Sequence, residues 1–124
     1  MSEIKVVLRE ERVEFHPGEE LVGAGYWKLE RAPETAEARL IWFTRGKGTE
    51  DVEVVEKFSF PNPQREEAQP FRFRLPVAPY SFSGKLISLI WAVEVVFKSP
   101  REARRSEFIL SPSGKEIVLG QVGK

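Results

Sequence analysis

The sequence of 124 residues contains no cysteine and a single histidine, His16. The absence of cysteine excludes disulfides, thiolate nucleophiles and thiolate metal ligands, and it fits a reducing compartment. One histidine leaves too few side chains for a catalytic triad or a two-histidine metal site. Because Asp51 is also the only aspartate, paired-carboxylate chemistry would depend on glutamates in strands and loops. We therefore assign no catalytic, cofactor or metal residues and expect a protein that is not an enzyme.

The chain also lacks an excess of charge of either sign and a long apolar run. Its 19 basic and 19 acidic side chains cancel, so no overall field draws it to nucleic acid or to an anionic membrane. The longest run without a charge or a structure-breaking residue, 86–93, is far shorter than the ~20 residues that cross a bilayer, and the N-terminus has no signal-peptide pattern. We predict a cytoplasmic protein with no integral membrane segment and no nucleic-acid partner.

Charged side chains are abundant, at 31% of the sequence, whereas asparagine occurs once and glutamine three times. Many Glu, Lys and Arg with few thermolabile residues is typical of heat-adapted proteins. The length predicts a single domain over 1–124. Within it, Ser-Pro-Ser-Gly at 111–114 indicates that 111–124 is a loose tail or a short added strand.

The apolar pattern has period two nearly everywhere, which predicts an all-β protein. The odd positions of 87–97 are all apolar, and Leu21, Gly23, Gly25, Trp27 and Leu29 share one parity of an earlier strand. A parity slip at Val54-Val55 predicts a bend or a bulge in that strand, while 30–37 and 64–69 are predicted to be polar loops. Turns recurring about every ten residues predict a sandwich of seven to eight mainly antiparallel strands, with a closed barrel as the other solution.

Two stretches of the sequence resemble the arrestin-type fold. The first, 13–23, holds a strand, the turn His16-Pro17-Gly18-Glu19 and a return strand. The second, 71–97, holds Phe-x-Phe-x-Leu-Pro, then a Pro-x-Ser-aromatic-x-Gly turn and a long apolar strand. Vertebrate arrestins, a cargo-sorting retromer subunit and bacterial sporulation-control proteins share this architecture. The resemblance implies an immunoglobulin-like β-sandwich that serves as an adaptor or scaffold.

The sequence departs from the arrestin pattern in two respects. Arrestins join two such lobes, and this chain has room for one. The lysine pair that senses phosphate in vertebrate arrestins has no counterpart here, because Lys5 stands alone among apolar neighbours. No binding residue is therefore carried over from the resemblance.

Five residues are candidates for binding. Tyr26 and Trp27 come at the end of a predicted strand, where Trp27 could be an exposed aromatic anchor. Arg101, Arg104 and Arg105 precede the last strand, and such a loop either captures a phosphate or acidic peptide or is simply a solvated charged loop.

Four other residues are given structural interpretations, and for one of them, Glu94, two alternatives stay open. Trp42 and Trp91 lie in dense apolar runs and are predicted to pack in the core, and His16 is predicted to be a turn residue. Glu94 interrupts an apolar strand, so it either faces solvent or is partly buried beside an arginine such as Arg72 or Arg74.

These observations favour a non-enzymatic adaptor that binds a protein partner through a sheet edge or end loops. Edge strands expose unpaired backbone groups, so pairing with a partner strand or a homodimer through an edge is physically available. The alternative is a module that binds a small ligand, a sugar or an anion, through Tyr26 and Trp27 or through the arginines of 101–105.

Overall fold

The computed structural model describes residues 2–46, 48 and 50–119, which form β-strands with one 3₁₀ turn at Arg9–Glu11. Seven strands have six residues or more: β1 (Glu3–Leu8), β3 (Glu20–Lys28), β4 (Thr35–Gly46), β5 (Val52–Ser59), β6 (Glu66–Arg74), β8 (Ile87–Lys98) and β9 (Glu102–Leu110). Three have two residues each: β2 (Glu14–Phe15), β7 (Phe82–Ser83) and β10 (Ile117–Val118).

The strands form two sheets packed face to face. The smaller sheet has the order β1-β3-β6 and is antiparallel. The larger has the order β10-β7-β8-β4-β5, with β9 also paired to β8 and β2 paired to β9. The short pairs β2–β9 and β7–β10 are parallel, and all other pairs are antiparallel. The predicted all-β sandwich of mainly antiparallel strands is confirmed, and the barrel alternative is wrong.

The main core lies between the sheets and follows the predicted alternation. Along β3 the parity that includes Leu21 and Trp27 is buried, and along β8 the odd positions from Leu89 to Phe97 are buried. Such alternation arises because successive side chains of a strand point to opposite faces. Trp91 is fully buried and Trp42 packs against the same core, as predicted.

The turn before β3 follows its sequence directly. The backbone N–H of Glu19 donates to the carbonyl of His16 at 3.2 Å, and Gly18 has φ +79°. Pro17 presets the second turn position, and glycine accepts the positive φ of the third position in a type II turn. His16 is therefore the turn residue that the sequence predicts.

Two predicted boundaries differ from the structure. β4 begins at Thr35 and β6 at Glu66, inside the segments 30–37 and 64–69 that were predicted to be loops. The backbone of these segments nevertheless pairs with β8 and β3, so a low apolar content did not prevent strand formation. The first strand ends at Leu8, because Arg9–Glu11 redirects the chain and Glu14–Phe15 then joins the other sheet.

Two other features predicted from the sequence are present in the structure. The bulge predicted at Val54-Val55 is confirmed, because Leu40 pairs with Glu56 and Ile41 with Val54, which leaves Val55 as the extra residue. In the segment predicted as a tail or added strand, Ile117–Val118 pair with β7. Residues 120–124 of that segment lie outside the described residues.

Candidate functional site

Tyr26 and Trp27 are neighbours on β3 that point to opposite faces of the smaller sheet. Trp27 is only 3% exposed, its ring lies 5.1 Å from that of Phe97, and its Nε1 donates to the carbonyl of Gln64 at 2.8 Å. The prediction of an exposed Trp27 anchor is wrong, because Trp27 shares the core-facing parity of Leu21. Tyr26 is 46% exposed on the outer face.

The outer surface around Tyr26 is an open depression of about 510 Å³. Lys5 on β1 and Ala68 on β6 lie directly opposite Tyr26 in the register, and Lys28 pairs with Glu66 at 3.9 Å on its rim. Within the described part of the chain, the Tyr26 hydroxyl and the Lys5 ammonium have no hydrogen bond or ion pair. This amphipathic depression, lined by Tyr26, Lys5 and Lys28, is called the Tyr26 surface.

The three arginines of 101–105 do not form one loop. Arg101 lies in the turn after β8, whereas Arg104 and Arg105 lie within β9 and therefore point to opposite faces. Nε of Arg105 donates to Oε2 of Glu94 at 3.1 Å. The prediction of a three-arginine loop is wrong, because β9 pairs with β8 from Glu102 onward.

Glu94 is half-buried, and its partner is Arg105 directly across on β9. The interpretation as a partly buried carboxylate is therefore confirmed, whereas the suggested partners Arg72 and Arg74 lie on β6 of the other sheet. The missing information was the pairing of β8 with β9, which no local pattern contains.

A second apolar cluster lies on the outward face of the larger sheet. Ile41, Phe43 and Ala92 are fully buried there, with Ile90 packed against them. The guanidinium of Arg105 lies 4.4 Å from the centroid of the Phe43 ring, and that of Arg45 lies 5.4 Å from it. In this Phe43 cluster (Ile41, Phe43, Ile90, Ala92), arginine side chains therefore cover the ring of Phe43.

The strand β5 forms an edge of the larger sheet and is the most exposed long strand. Seven of its eight residues are exposed, and Val52, Val54 and Val55 are 47%, 36% and 42% exposed. Val52 lies opposite Phe43 and Val54 opposite Ile41, so both valines extend the Phe43 cluster to the edge. The three valines therefore form an apolar surface that is open to solvent along the sheet edge.

The backbone of β5 is also available for pairing. The N–H of Thr44 donates to the carbonyl of Asp51 at 2.9 Å. Because bonded and non-bonded pairs alternate in antiparallel strands, the N–H and C=O groups of Val52 and Val54 point away from β4. Among the described residues, β4 is the only strand paired with β5.

The free edge of β6 is different because it contains Pro70. The N–H of Leu29 donates to the carbonyl of Arg65 at 2.8 Å. Because bonded and non-bonded pairs alternate, the backbone polar groups of Ala68 and Pro70 point away from β3, toward the free edge. Proline has no N–H, and it is one of the devices that block pairing at sheet edges. β5 is thus the better candidate for receiving a partner strand.

The sequence predicted β5 as a strand but did not identify it as an edge. One signal was available: the segment 50–57 carries four acidic residues and one lysine between three valines. Charges on both faces of a strand are typical of edges, because an interior strand must bury at least one face.

Two further observations concern the described residues as a whole. No group of three His, Asp or Glu side chains in the described ranges is placed to hold a metal ion. Across the same residues, no helix has the length and apolar character needed to span a bilayer.

The chain matches no protein-family model, and no curated protein matches it significantly. Among solved structures it is similar to the sporulation control protein Spo0M of Bacillus subtilis, with 20% identity and a TM-score of 0.62 over 89% of this chain and 49% of that one. It also matches a β-glucosidase from Listeria innocua in complex with gluconolactone, with 20% identity and a TM-score of 0.45 over 94% of this chain and 16% of that one. The TM-score of this second match is too low to indicate a shared fold.

The likeness to Spo0M concerns the fold. This chain spans about half of that protein's length. Together with the two packed sheets, it shows an arrestin-like β-sandwich, as the resemblance of the sequence implies.

Proposed function

We propose that this protein is a non-enzymatic adaptor or scaffold of the cytoplasm, a single domain that binds a protein partner at a sheet edge. The observation that carries the proposal is the free edge of β5, where exposed valines accompany unpaired backbone groups. An extended partner segment would add a strand there, so main-chain hydrogen bonds would supply affinity and side-chain contacts would supply specificity.

The bulge at Val55 limits what can bind. It divides the edge into a stretch before the bulge and one after it, and bulges discourage indefinite strand addition. We therefore expect a discrete complex with one partner strand rather than a fibre.

The non-enzymatic part of the proposal is supported by side-chain chemistry. His16 is used in a turn, where its backbone N–H donates to Oε1 of Glu19 at 2.8 Å. Of the candidate binding arginines, Arg105 is held by Glu94 and stacked on Phe43. His16 and Arg105 therefore both have structural roles. The exposed edge of β5 is a more extensive candidate for binding than either side chain.

The edge is tested by proline substitutions in the full chain. Val54→Pro removes an N–H that points to solvent, so the fold should survive while partner pairing is blocked. Val52→Pro does the same at a position farther from the bulge, and Ala68→Pro makes the matched change on the edge of β6. Circular dichroism and thermal melting would verify folding of each variant.

The readout is affinity capture from an extract of the native cell, with light scattering to report homodimers. We expect a specific partner that wild type and Ala68→Pro retain and that both β5 variants lose. Retention by folded Val52→Pro and Val54→Pro would contradict the proposal. Loss of a dimer in the β5 variants alone would identify a second copy as the partner.

A second candidate function is binding of a sugar or anion at the Tyr26 surface. It is favoured by the half-exposed ring of Tyr26, with Lys5 opposite and Lys28 nearby in one depression. Tyr26 itself lies in this depression, and Trp27 is its neighbour on β3, so intrinsic fluorescence should report binding. A response to a glycan or phosphate panel that Tyr26→Ala abolishes would support this function, and a flat response would remove it.

A further inference from the structure

We propose that the partner segment at β5 is an extended strand that alternates apolar residues with lysine or arginine. This inference rests on the proposed function and names the chemistry of its partner. It follows from the different character of the two faces that the β5 edge presents.

One face of the edge is apolar. Val52 and Val54 lie opposite Phe43 and Ile41, which are fully buried members of the Phe43 cluster. Directly opposed residues of neighbouring strands share a face and pack together. A partner strand beside β5 would therefore place every second side chain against the two valines and extend this cluster by another strand.

The other face of the edge is acidic. Glu53 lies opposite Trp42 and Glu56 opposite Leu40, and both of these β4 residues contact the main core. Both glutamates thus share the face opposite Val52 and Val54, and both are exposed. A partner strand must place its remaining side chains beside these two carboxylates.

No basic side chain of the described residues is paired with either carboxylate. Over residues 2–46, 48 and 50–119, neither Glu53 nor Glu56 forms an ion pair, and the neighbouring Asp51 forms none either. Glu50, by contrast, lies 3.9 Å from Arg105. Opposite charges across a strand pair stabilise it and like charges destabilise it, so the edge selects a basic strand.

The same charges disfavour pairing of β5 with the β5 strand of a second copy of this protein. Antiparallel pairing of β5 with itself would place Glu53 and Glu56 of both copies on one shared face. Four carboxylates close together repel each other, which is a means of selecting against a wrong partner. The partner is therefore a different segment with complementary charge.

The test uses three synthetic peptides of equal length, which alternate valine with lysine, with glutamate or with serine. Each is titrated into the ¹⁵N-labelled full chain while backbone amide shifts are followed. We expect the lysine peptide to shift the amides of 51–57 and to bind about tenfold more tightly than the glutamate peptide. Added salt should narrow this difference.

Charge-reversal variants provide the control. E53K/E56K should prefer the glutamate peptide. The control pair E14K/E116K changes two exposed glutamates that form no ion pair in the described part of the chain, and it should keep the wild-type preference. Equal binding of all three peptides at β5, or no reversal in E53K/E56K, would overturn the basic-partner inference and leave the edge proposal standing. If no peptide shifts the amides of β5, the edge proposal itself is overturned.

Discussion

Arg12 and Glu19 are joined by an ion pair that ties the chain before β2 to the turn before β3. Nη2 of Arg12 donates to Oε1 of Glu19 at 2.6 Å, and the backbone N–H of His16 donates to the same oxygen at 2.8 Å. The hydrogen bond from Arg12, aided by that from His16, lowers the pKa of Glu19 to about 2. Arg12 also lies over the ring of Phe15 at 4.4 Å, so the pair is anchored to the core.

The Arg12–Glu19 pair should make part of the stability dependent on acid. Because the folded pKa of about 2 is below the ordinary 4.5, the folded state binds fewer protons between these values. The contribution of Glu19 is therefore present above about pH 5 and lost as the pH falls toward the folded value. Glu19→Gln should lower the free energy of unfolding by about 1 kcal/mol at neutral pH, and by less in acid.

Urea denaturation of wild type and Glu19→Gln across this pH range checks the prediction. Glu14→Gln is the control, since the Glu14 side chain is exposed and the change should be nearly neutral. A stability difference that stays constant down to the lowest pH would contradict the assignment to Glu19.

Two glycines of β3 should respond differently to alanine. A Cβ at Gly23 would lie 2.5 Å from the Val7 carbonyl oxygen and 2.8 Å from Cζ of Phe71, whereas one at Gly25 would find its nearest atom at 3.4 Å. Overpacking a tight site costs about 1–3 kcal/mol, so Gly23→Ala should destabilise the fold by that amount. Gly25→Ala should lower the free energy of unfolding by less than about 1 kcal/mol. Urea denaturation of the two variants measures the contrast, and equal unfolding midpoints would contradict it.

Arg105 should stabilise the fold, whereas its neighbour Arg104 should not. Arg105→Ala uncovers the ring of Phe43 and leaves half-buried Glu94 without its donor, which should cost about 1–2 kcal/mol. Arg104 is exposed, so Arg104→Ala should stay within about 0.5 kcal/mol of wild type. Thermal melting of the two variants measures this, and indistinguishable melting temperatures would mean that Arg105 does not stabilise the cluster.

Tyr26 and Trp27 should differ when each loses one polar group. Trp27→Phe removes the donor that bonds the Gln64 carbonyl at 2.8 Å, so it should destabilise the fold by about 1–3 kcal/mol. Tyr26→Phe removes a hydroxyl that bonds nothing in the described part of the chain, and should change stability by less than about 0.5 kcal/mol. Chemical denaturation would show the contrast, and a neutral Trp27→Phe would argue against the buried hydrogen bond.

The sequence by itself determined the strands that bury one face and the turns between them. Leu21 and Trp27 share a parity, and the same parity is buried in the structure. Pro17 and Gly18 define their turn, because proline and glycine restrict the backbone locally. The bulge at Val55 could also be predicted, since a parity slip is visible within the strand itself.

Only the tertiary structure decided which strands are neighbours and where a sheet ends. Glu94 meets Arg105 because β8 pairs with β9, and Val54 reaches the Phe43 cluster because β5 pairs with β4. The alternation of apolar residues predicts which side chains of a strand share a face. It does not predict which residues of a neighbouring strand lie opposite them. The candidate site depends on the absence of a strand beyond β5 among the described residues, and that is a property of long-range pairing.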